Sequence, residues 1–362
     1  MALLCLAFSL ALLLGGCTMR EERAATAEPA STPAPAATPE PTPEPTPEPR
    51  GEWLLSFAGD CTIGTLQEWQ QLAGRSNMLY VVNGDWSYPF SGVKELFEAD
   101  DLSLVNLEGT FTTATDAVGK EFRFRGPPEA AQALALGSVE AVSLANNHSR
   151  DYRAQGVSDT RAALEAQALL WADEGAPLVL DLPEDGPRLG ILAFNCVEID
   201  LVPGDVAGYL LRCGADFEAC MAAGCDLVIA FVHWGWEYRS APEGWMVDFA
   251  HGLAELGCAM VVGSHAHILQ PSERWQGVPI LYSLGNFCYG GNSAPADMDS
   301  VVVRQSILRT AEGFALGETR FVPCCVSSAA GYNDFCPRPY EATEKGYARA
   351  LEKLQSGEIL PQ

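Results

Sequence analysis

The 362-residue sequence predicts an α/β fold built in layers, because apolar runs of strand length alternate with stretches of helical character. The chain is 48% hydrophobic and only 19% charged, which is ample material for a large core. The strand-like runs are Trp53–Ala58, Leu102–Leu107, Val139–Leu144, Leu189–Phe194, Leu227–Val232, Ala259–Val262 and Pro279–Leu284. The helix-like stretches between them include Pro128–Leu136, Val157–Gln167, Asp216–Ala223 and Trp245–Leu256.

Two further apolar runs, Val301–Leu308 and Phe314–Val322, carry few helix signals and predict a second sheet or an edge. The last stretch, Tyr340–Leu354, predicts a short helix. We therefore expect a folded domain over residues 51–340, followed by a C-terminal helix and tail over residues 341–362.

Residues 1–17 are typical of a bacterial lipoprotein signal peptide. The apolar run Ala2 to Leu14 is short for a membrane-spanning helix. It ends in Leu14-Gly15-Gly16-Cys17, which resembles a lipobox and predicts cleavage before Cys17 with a lipid on its sulfur. The alternatives are a plain cleaved signal and an uncleaved anchor. We expect an extracytoplasmic protein anchored to the cell membrane through Cys17.

Residues 18–50 predict a linker, because their Thr-Pro-Glu-Pro repeat cannot bury apolar surface and lacks many backbone donors. Such a segment favours extended polyproline II. At about 3.1 Å per residue it would reach on the order of 100 Å, which suits a spacer between a membrane and a folded domain.

The formal net charge of -25 argues against nucleic acid as a partner, because nucleic-acid binding requires clustered Lys and Arg. It also argues against an electrostatic attachment to anionic lipid. An acidic chain remains compatible with a cation site, since carboxylates are ligands for divalent metals.

The 12 cysteines show no CxxC pair, which argues against a structural zinc site. Export would make disulfides the default expectation. Cys196, Cys258 and Cys288 instead lie in apolar runs and predict buried thiols. The remaining pairings stay open, including those of the groups Cys213, Cys220, Cys225 and Cys324, Cys325, Cys336.

Polar side chains that suit metal binding follow several predicted strands. Four of the five histidines stand directly after such runs, whereas His251 lies in a helix-like stretch. Because functional groups lie at the carboxyl ends of strands in these folds, the side chains are expected to converge. A mixed set of oxygen and nitrogen donors suits Mn, Fe or Zn. The converging residues are Asp60, Glu108, Asn147, His148, Asp151, His233, Glu237, His265, His267 and Asn286.

The order of these motifs resembles the CapA, or poly-γ-glutamate capsule synthesis, family, from about Leu54 to about Gly290. The resemblance implies a variant of the calcineurin-like metallophosphoesterase fold, a four-layer α-β-β-α sandwich with two divalent metal ions. The strings that carry it are Gly59-Asp60, Asn106-Leu107-Glu108, Ala145-Asn146-Asn147-His148-Ser149-Arg150-Asp151, His233-Trp234-Gly235-Trp236-Glu237-Tyr238, Gly263-Ser264-His265-Ala266-His267 and Ser283-Leu284-Gly285-Asn286-Phe287.

The resemblance also implies roles by position. His148 would contact substrate and protonate the leaving group, and Asp151 would orient it. Glu237 and Asn286 would line the site without a fixed role. The implied metal ligands are Asp60 and His267 for one metal, Glu108 as the bridge, and Asn147, His233 and His265 for the other metal.

Two departures from the wider superfamily bear on the first metal. The superfamily's Asp-x-His is Asp60-Cys61-Thr62 in this chain, so an imidazole is missing. The first metal is therefore expected either to bind weakly or to use Cys61 or water. The bridging carboxylate is Glu108, where the superfamily carries Asp.

Two functions remain open from the sequence. One is a metal-dependent hydrolase of the cell envelope, acting on a phosphoester or on an amide of γ-linked glutamate polymer. The other is a non-catalytic metal-binding accessory or scaffold of a membrane-bound capsule synthase. A polyanionic substrate would need local positive charge, for which Arg123 and Arg125 are candidates, with an exposed strand face as the alternative. A sugar-nucleotide or dinucleotide enzyme is excluded, because no Gly-rich loop joins a strand to a helix at the required spacing.

Overall fold

Two β-sheets packed face to face form the centre of the protein. The computed structural model describes residues 50–197 and 206–355. The predicted signal peptide and nearly all of the predicted linker therefore lie outside the described residues. Among the described helices, none is long and apolar enough to cross a membrane.

Seventeen strands and seven α-helices are defined within the described residues. The strands are β1 (Glu52–Thr62), β2 (Thr65–Leu66), β3 (Leu102–Leu107), β4 (Thr110–Phe111), β5 (Phe124–Gly126), β6 (Ala141–Ser143), β7 (Leu170–Ala172), β8 (Leu178–Asp181), β9 (Arg188–Asn195), β10 (Leu227–His233), β11 (Met260–Ser264), β12 (Ser272–Trp275), β13 (Val278–Leu281), β14 (Asn286–Tyr289), β15 (Asp299–Thr310), β16 (Gly313–Cys325) and β17 (Arg338–Pro339). The helices are α1 (Met78–Val82), α2 (Lys94–Phe97), α3 (Gln132–Leu136), α4 (Arg153–Ala166), α5 (Val206–Ala222), α6 (Gly244–Leu256) and α7 (Lys345–Gln355).

The first sheet has the strand order β17-β16-β15-β1-β3-β6-β7, with β14 also paired to β1. The second sheet has the order β12-β13-β11-β10-β9-β8, and β2, β5 and β4 form a small third sheet. Strands β1, β3, β6 and β7 are parallel, as are β9, β10, β11 and β13. Strands β15 and β16 extend the first sheet on one side of β1. The prediction that Val301–Leu308 and Phe314–Val322 form a sheet edge is therefore confirmed, whereas the alternative that they form a second sheet is wrong.

The alternation of side chains along the central strands produces three apolar cores. Leu55 in β1 and Ile191 in β9 belong to the core between the sheets. Val105 in β3 belongs to a core shared with α1 to α4, and Val228 in β10 to a core shared with α5 and α6. The layers are therefore helix, sheet, sheet, helix, as the family resemblance implies.

The C-terminal helix α7 packs against this sandwich. Ala350 and Leu354 enter the core between the sheets. The buried carboxylate of Asp299 accepts hydrogen bonds from Arg349 Nε at 2.6 Å and from Lys353 Nζ at 2.7 Å. These contacts attach α7 to the start of β15.

The described cysteines are ten free, buried thiols. Cys196, Cys258 and Cys288 lie in apolar cores, which confirms the prediction from their apolar runs. The default expectation of disulfides in an exported protein is not met within the described part of the chain.

A β-bulge at Gly59 sets the direction of Asp60. The pairing of β1 with β3 shifts between Ala58 and Asp60, so two steps along β1 match one step along β3. Without the bulge, the two-residue period of a strand would turn Asp60 to the helical side, together with Ala58. With it, Cys61 packs on the helical side and Asp60 faces the opposite side.

Gly59→Ala should lower the free energy of unfolding by about 1–3 kcal/mol, the usual cost of overpacking. A Cβ at Gly59 would lie 1.9 Å from the carbonyl oxygen of Gly285. Gly119→Ala is the control, because a Cβ there meets no atom within 4 Å. Urea unfolding of both variants measures the effect, and equal midpoints would contradict this account of Gly59.

Candidate metal centre

The candidate metal centre lies where the carboxyl ends of strands from both sheets meet. Asp60 lies near the end of β1, Glu108 follows β3, His233 ends β10, and His265 follows β11. All four side chains are buried. The described structure thus brings together polar groups that are separated by up to about 200 residues in sequence.

Two groups of ligand-type side chains share the carboxylate of Glu108. In each group, one donor atom per residue lies within 4.8 Å of the others. Both oxygens of Glu108 are buried and accept no hydrogen bond from the described residues. An unpaired buried carboxylate is costly, and a cation on each side would satisfy it. The groups are Asp60, Glu108 and His267, and Glu108, His233 and His265.

The second group has the spacing of a coordination shell. His233 Nε2 lies 2.9 Å from Asn147 Oδ1, 3.1 Å from His265 Nδ1 and 3.6 Å from Glu108 Oε1. Four donors at bond lengths of about 2.1 Å in a tetrahedron are about 3.4 Å apart. The four side chains therefore fit one divalent cation.

Neighbouring polar groups hold the His233 ring from its other side. Ser264 Oγ lies 2.9 Å and Asn106 Nδ2 lies 3.2 Å from His233 Nδ1. Asn106 Nδ2 also donates to Asp60 Oδ1 at 2.8 Å. Partners at Nδ1 leave Nε2 directed at the centre, which is the usual arrangement around metal-binding histidines.

The first group is held in a similar way. His267 Nδ1 lies 2.9 Å from Asn286 Oδ1 and 3.3 Å from Asp60 Oδ2. Its Nε2 lies 3.9 Å from Glu108 Oε1 and 4.0 Å from Glu237 Oε1. Asn286 therefore orients His267, and Glu237 lies at the mouth of this group.

His148 and Asp151 form a pair beside the two groups. His148 Nδ1 lies 2.8 Å from Asp151 Oδ2, which also accepts from the backbone N–H of Phe124 at 2.7 Å. Lys120 Nζ lies 2.6 Å from Asp151 Oδ1 and donates to the carbonyl oxygen of Asn147 at 2.5 Å. Lys120 thus connects the Asp151 carboxylate to the segment that carries Asn147.

The structure does not bring Arg123 or Arg125 to the donor set. The guanidinium of Arg123 pairs with Glu68. That of Arg125 donates to the carbonyl oxygen of Ala114 and to Gln70, and lies over the ring of Tyr152. A structural role for these two residues, in and next to β5, accounts for their contacts. The positively charged residue that does lie at the site is Lys120, which contacts Asp151 and Asn147. No motif in the sequence indicated it.

Cys61 does not replace the missing imidazole. Its thiol packs in the apolar core on the helical side of the first sheet, and burial raises its pKa far above the ordinary value. Thr62 shares the face of Asp60, because Cys61 and Ile63 both belong to the helical core. The expectation that Cys61 takes the place of the missing imidazole is therefore wrong.

The backbone is strained at the two histidines of the candidate metal centre that follow β11. His265 has φ 91° and His267 has φ 58°, in the left-handed region that side-chain-bearing residues rarely adopt. Such strain costs on the order of 1–3 kcal/mol per residue and is typical of functional sites.

Burial and neighbouring charges set the protonation of the site in the absence of a cation. Burial raises the pKa of Glu108 well above its ordinary range. It lowers the pKa of His265 to about 3 and that of His233 well below its usual range, so both imidazoles stay neutral and can bind metal. For His267, burial is outweighed by Glu108 and Asp60, which raise the pKa to about 9.

The layered fold and this donor set define an α/β protein with a candidate centre for divalent metal ions. The family model described as bacterial capsule synthesis protein PGA_cap matches residues 54–290. The chain therefore belongs to the bacterial capsule synthesis family.

Relatives in this family come from several bacteria. A probable polyglutamine synthesis accessory protein of Mycobacterium tuberculosis is 32% identical over 242 residues, which cover 60% of this chain and 63% of that protein. The PGA biosynthesis protein CapA of Bacillus subtilis is 27% identical, over 55% of this chain and 56% of that protein. The capsule biosynthesis protein CapA of Bacillus anthracis is 27% identical, over 47% and 45%. The matched region thus spans less than two thirds of these relatives' own length.

Two solved structures resemble the chain distantly. A sulfate thiohydrolase SoxB of Thermus thermophilus has a TM-score of 0.41 at 12% identity, covering 85% of this chain and 60% of that chain. A 5'-nucleotidase of Candida albicans has a TM-score of 0.43 at 11% identity, covering 76% and 52%.

His265→Gln should remove a positive contribution to the slope of the unfolding free energy against pH in the metal-free protein. The His265 pKa is about 3 in the folded protein and about 6.5 in an unfolded chain. Between these values the unfolded chain binds more protons, so stability falls as pH falls, by up to about 1.4 kcal/mol per pH unit for one histidine.

Urea unfolding with a chelator, between about pH 7 and pH 4, measures this slope. His251→Gln is the control, because His251 lies on α6, pairs with Glu273 and belongs to neither ligand group. Identical slopes for wild type and His265→Gln would show that His265 is not buried as a neutral imidazole.

Proposed function

We propose that the chain is a metal-dependent hydrolase of the bacterial cell envelope that acts in the synthesis or processing of a capsule polymer such as poly-γ-glutamate. The observation that carries the proposal is Glu108, a buried carboxylate without a hydrogen-bond donor that two ligand groups share. Membership of the capsule synthesis family supports the biological context.

The proposed ligands divide between two positions. Asp60 and His267 would hold one cation, Asn147, His233 and His265 would hold the other, and Glu108 would contribute to both. When bound, a pair of divalent ions such as Mn, Fe or Zn supplies Lewis acidity to a phosphoryl or carbonyl oxygen and activates water. A phosphoester and the amide of a γ-linked glutamate polymer are both substrates that this chemistry suits.

His148 is proposed to be the general acid. Its Nδ1 donates to Asp151, so the protonated ring would give the proton on Nε2 to the leaving group and become neutral. Asp151 fixes the ring, and Phe124 and Lys120 fix Asp151. Burial lowers the pKa of His148, and Asp151 opposes that shift. Lys120 also places a positive charge where a polyanionic substrate would meet an otherwise acidic protein.

The second candidate function is a non-catalytic accessory or scaffold protein of a membrane capsule synthase. Two observations favour it: the mycobacterial relative is described as an accessory protein, and the first metal group lacks the imidazole of Asp-x-His. A scaffold would keep its biological role after loss of the metal.

We also propose that the protein is held at the outer face of the cell membrane by a lipid on Cys17. The lipobox-like string and the proline-rich spacer support this placement. Globomycin-sensitive processing together with labelling by a radioactive fatty acid tests it, and Cys17→Ser should abolish both. A chain that is released without lipid would contradict it.

Glu108→Gln should remove at least one of two bound metal ions and reduce hydrolysis by several orders of magnitude, because the bridging carboxylate is lost. Metal content and turnover of bis-p-nitrophenyl phosphate and of γ-linked glutamate oligomers are measured together. Glu255→Gln, an exposed change on α6, is the control for loss of one charge. A wild-type protein that binds two ions but hydrolyses neither probe would favour the scaffold.

His148→Asn should lower the turnover number by about 100- to 10,000-fold, the range for loss of a general acid. Its metal content should stay unchanged, because His148 belongs to neither ligand group. A turnover number equal to that of the wild type would show that His148 is not the general acid. Loss of metal would instead make it a ligand.

A further inference from the structure

We propose that Glu237 is a further protein ligand of the cation held by Asp60, Glu108 and His267. This inference rests on the proposed function, because it deepens the account of the same metal centre. It also predicts that the two cation positions prefer different metals.

The position of Glu237 is fixed by the loop between β10 and α6. Gly235 has φ 81° and Tyr238 has φ 59°, so the chain turns sharply on both sides of Glu237. The N–H of Tyr238 donates to the carbonyl oxygen of Ala266 at 2.8 Å. This bond attaches the loop to the segment that carries His265 and His267.

The carboxylate of Glu237 faces the first ligand group. Its Oε1 lies 4.0 Å from His267 Nε2, close to the 3.9 Å that separates Glu108 Oε1 from the same nitrogen. His267 is the only ion-pair partner of Glu237 among the described residues. The side chain is 47% exposed, which leaves it room to move towards a bound ion.

The number of donors supports the same assignment. The second position has four side chains, since Asn147 Oδ1 lies 2.9 Å from His233 Nε2. The first position has only three side chains. Thr62 stands where the superfamily carries the histidine of Asp-x-His, and Cys61 packs in the helical core. Glu237 brings the first position to four. It also explains why the carboxylates of Glu108 and Glu237 lie at the same nitrogen of His267.

The two positions then differ in chemical hardness. The first has three carboxylates and one imidazole, and the second has two imidazoles, one amide and one carboxylate. Carboxylate oxygens suit Mn²⁺, whereas imidazoles suit Zn²⁺. We therefore expect the first position to favour Mn²⁺ over Zn²⁺ relative to the second.

The test is metal binding by the full-length protein and by Glu237→Gln and Glu237→Ala. Mn²⁺ binding is followed by electron paramagnetic resonance, and Zn²⁺ binding by isothermal titration calorimetry. Both variants should weaken Mn²⁺ at one position by at least about tenfold and leave the tighter Zn²⁺ position unchanged. Glu255→Gln is the matched control, and circular dichroism confirms folding of each variant.

The outcomes separate this inference from the proposed function. A wild-type protein that binds two ions, with both Glu237 variants unchanged in affinity, would overturn the role of Glu237 alone. A wild-type protein that binds fewer than two ions would overturn the two-metal centre and, with it, this inference. Glu237→Gln covers the case in which Glu237→Ala fails to fold, because it preserves the size of the side chain.

Discussion

Glu108 places two carboxylate oxygens in the interior, and no described residue donates a hydrogen bond to either. Most buried carboxylates are satisfied by Arg, Lys or backbone N–H groups, because an unpaired one is costly. At this site the neighbours are instead imidazole nitrogens and the carboxylate of Asp60. Two divalent cations would resolve this conflict, so the constraint on Glu108 determines what the surrounding residues must do.

The rest of the fold serves to bring donors to that carboxylate from both sheets. The bulge at Gly59 turns Asp60 inward, and the missing side chain at Gly59 leaves room for the carbonyl oxygen of Gly285. The strained backbone at His265 and His267 directs two imidazoles back over the sheet edge. Asn106, Ser264 and Asn286 hold the rings by their other nitrogens. Strain and buried polar contacts of this kind persist when a site requires them.

The sequence predicted the layers and the convergence of donors, because strand period and strand-end motifs are local signals. Other features depend on tertiary contacts that no local pattern carries. The bulge at Gly59 is visible only in the pairing with β3. Lys120 reaches Asp151 from a loop without a motif, whereas Arg123 and Arg125 turn to Glu68 and Gln70. Cys61 lay beside Asp60 in sequence but faces the opposite side of the strand.

The central claim is that two cations flank Glu108. Anomalous diffraction from crystals of the protein soaked in Mn²⁺ tests it most directly. The account predicts two peaks about 3.5–4 Å apart, one beside Asp60 and His267 and one beside His233 and His265. A single peak, or none within reach of the Glu108 carboxylate, would contradict it.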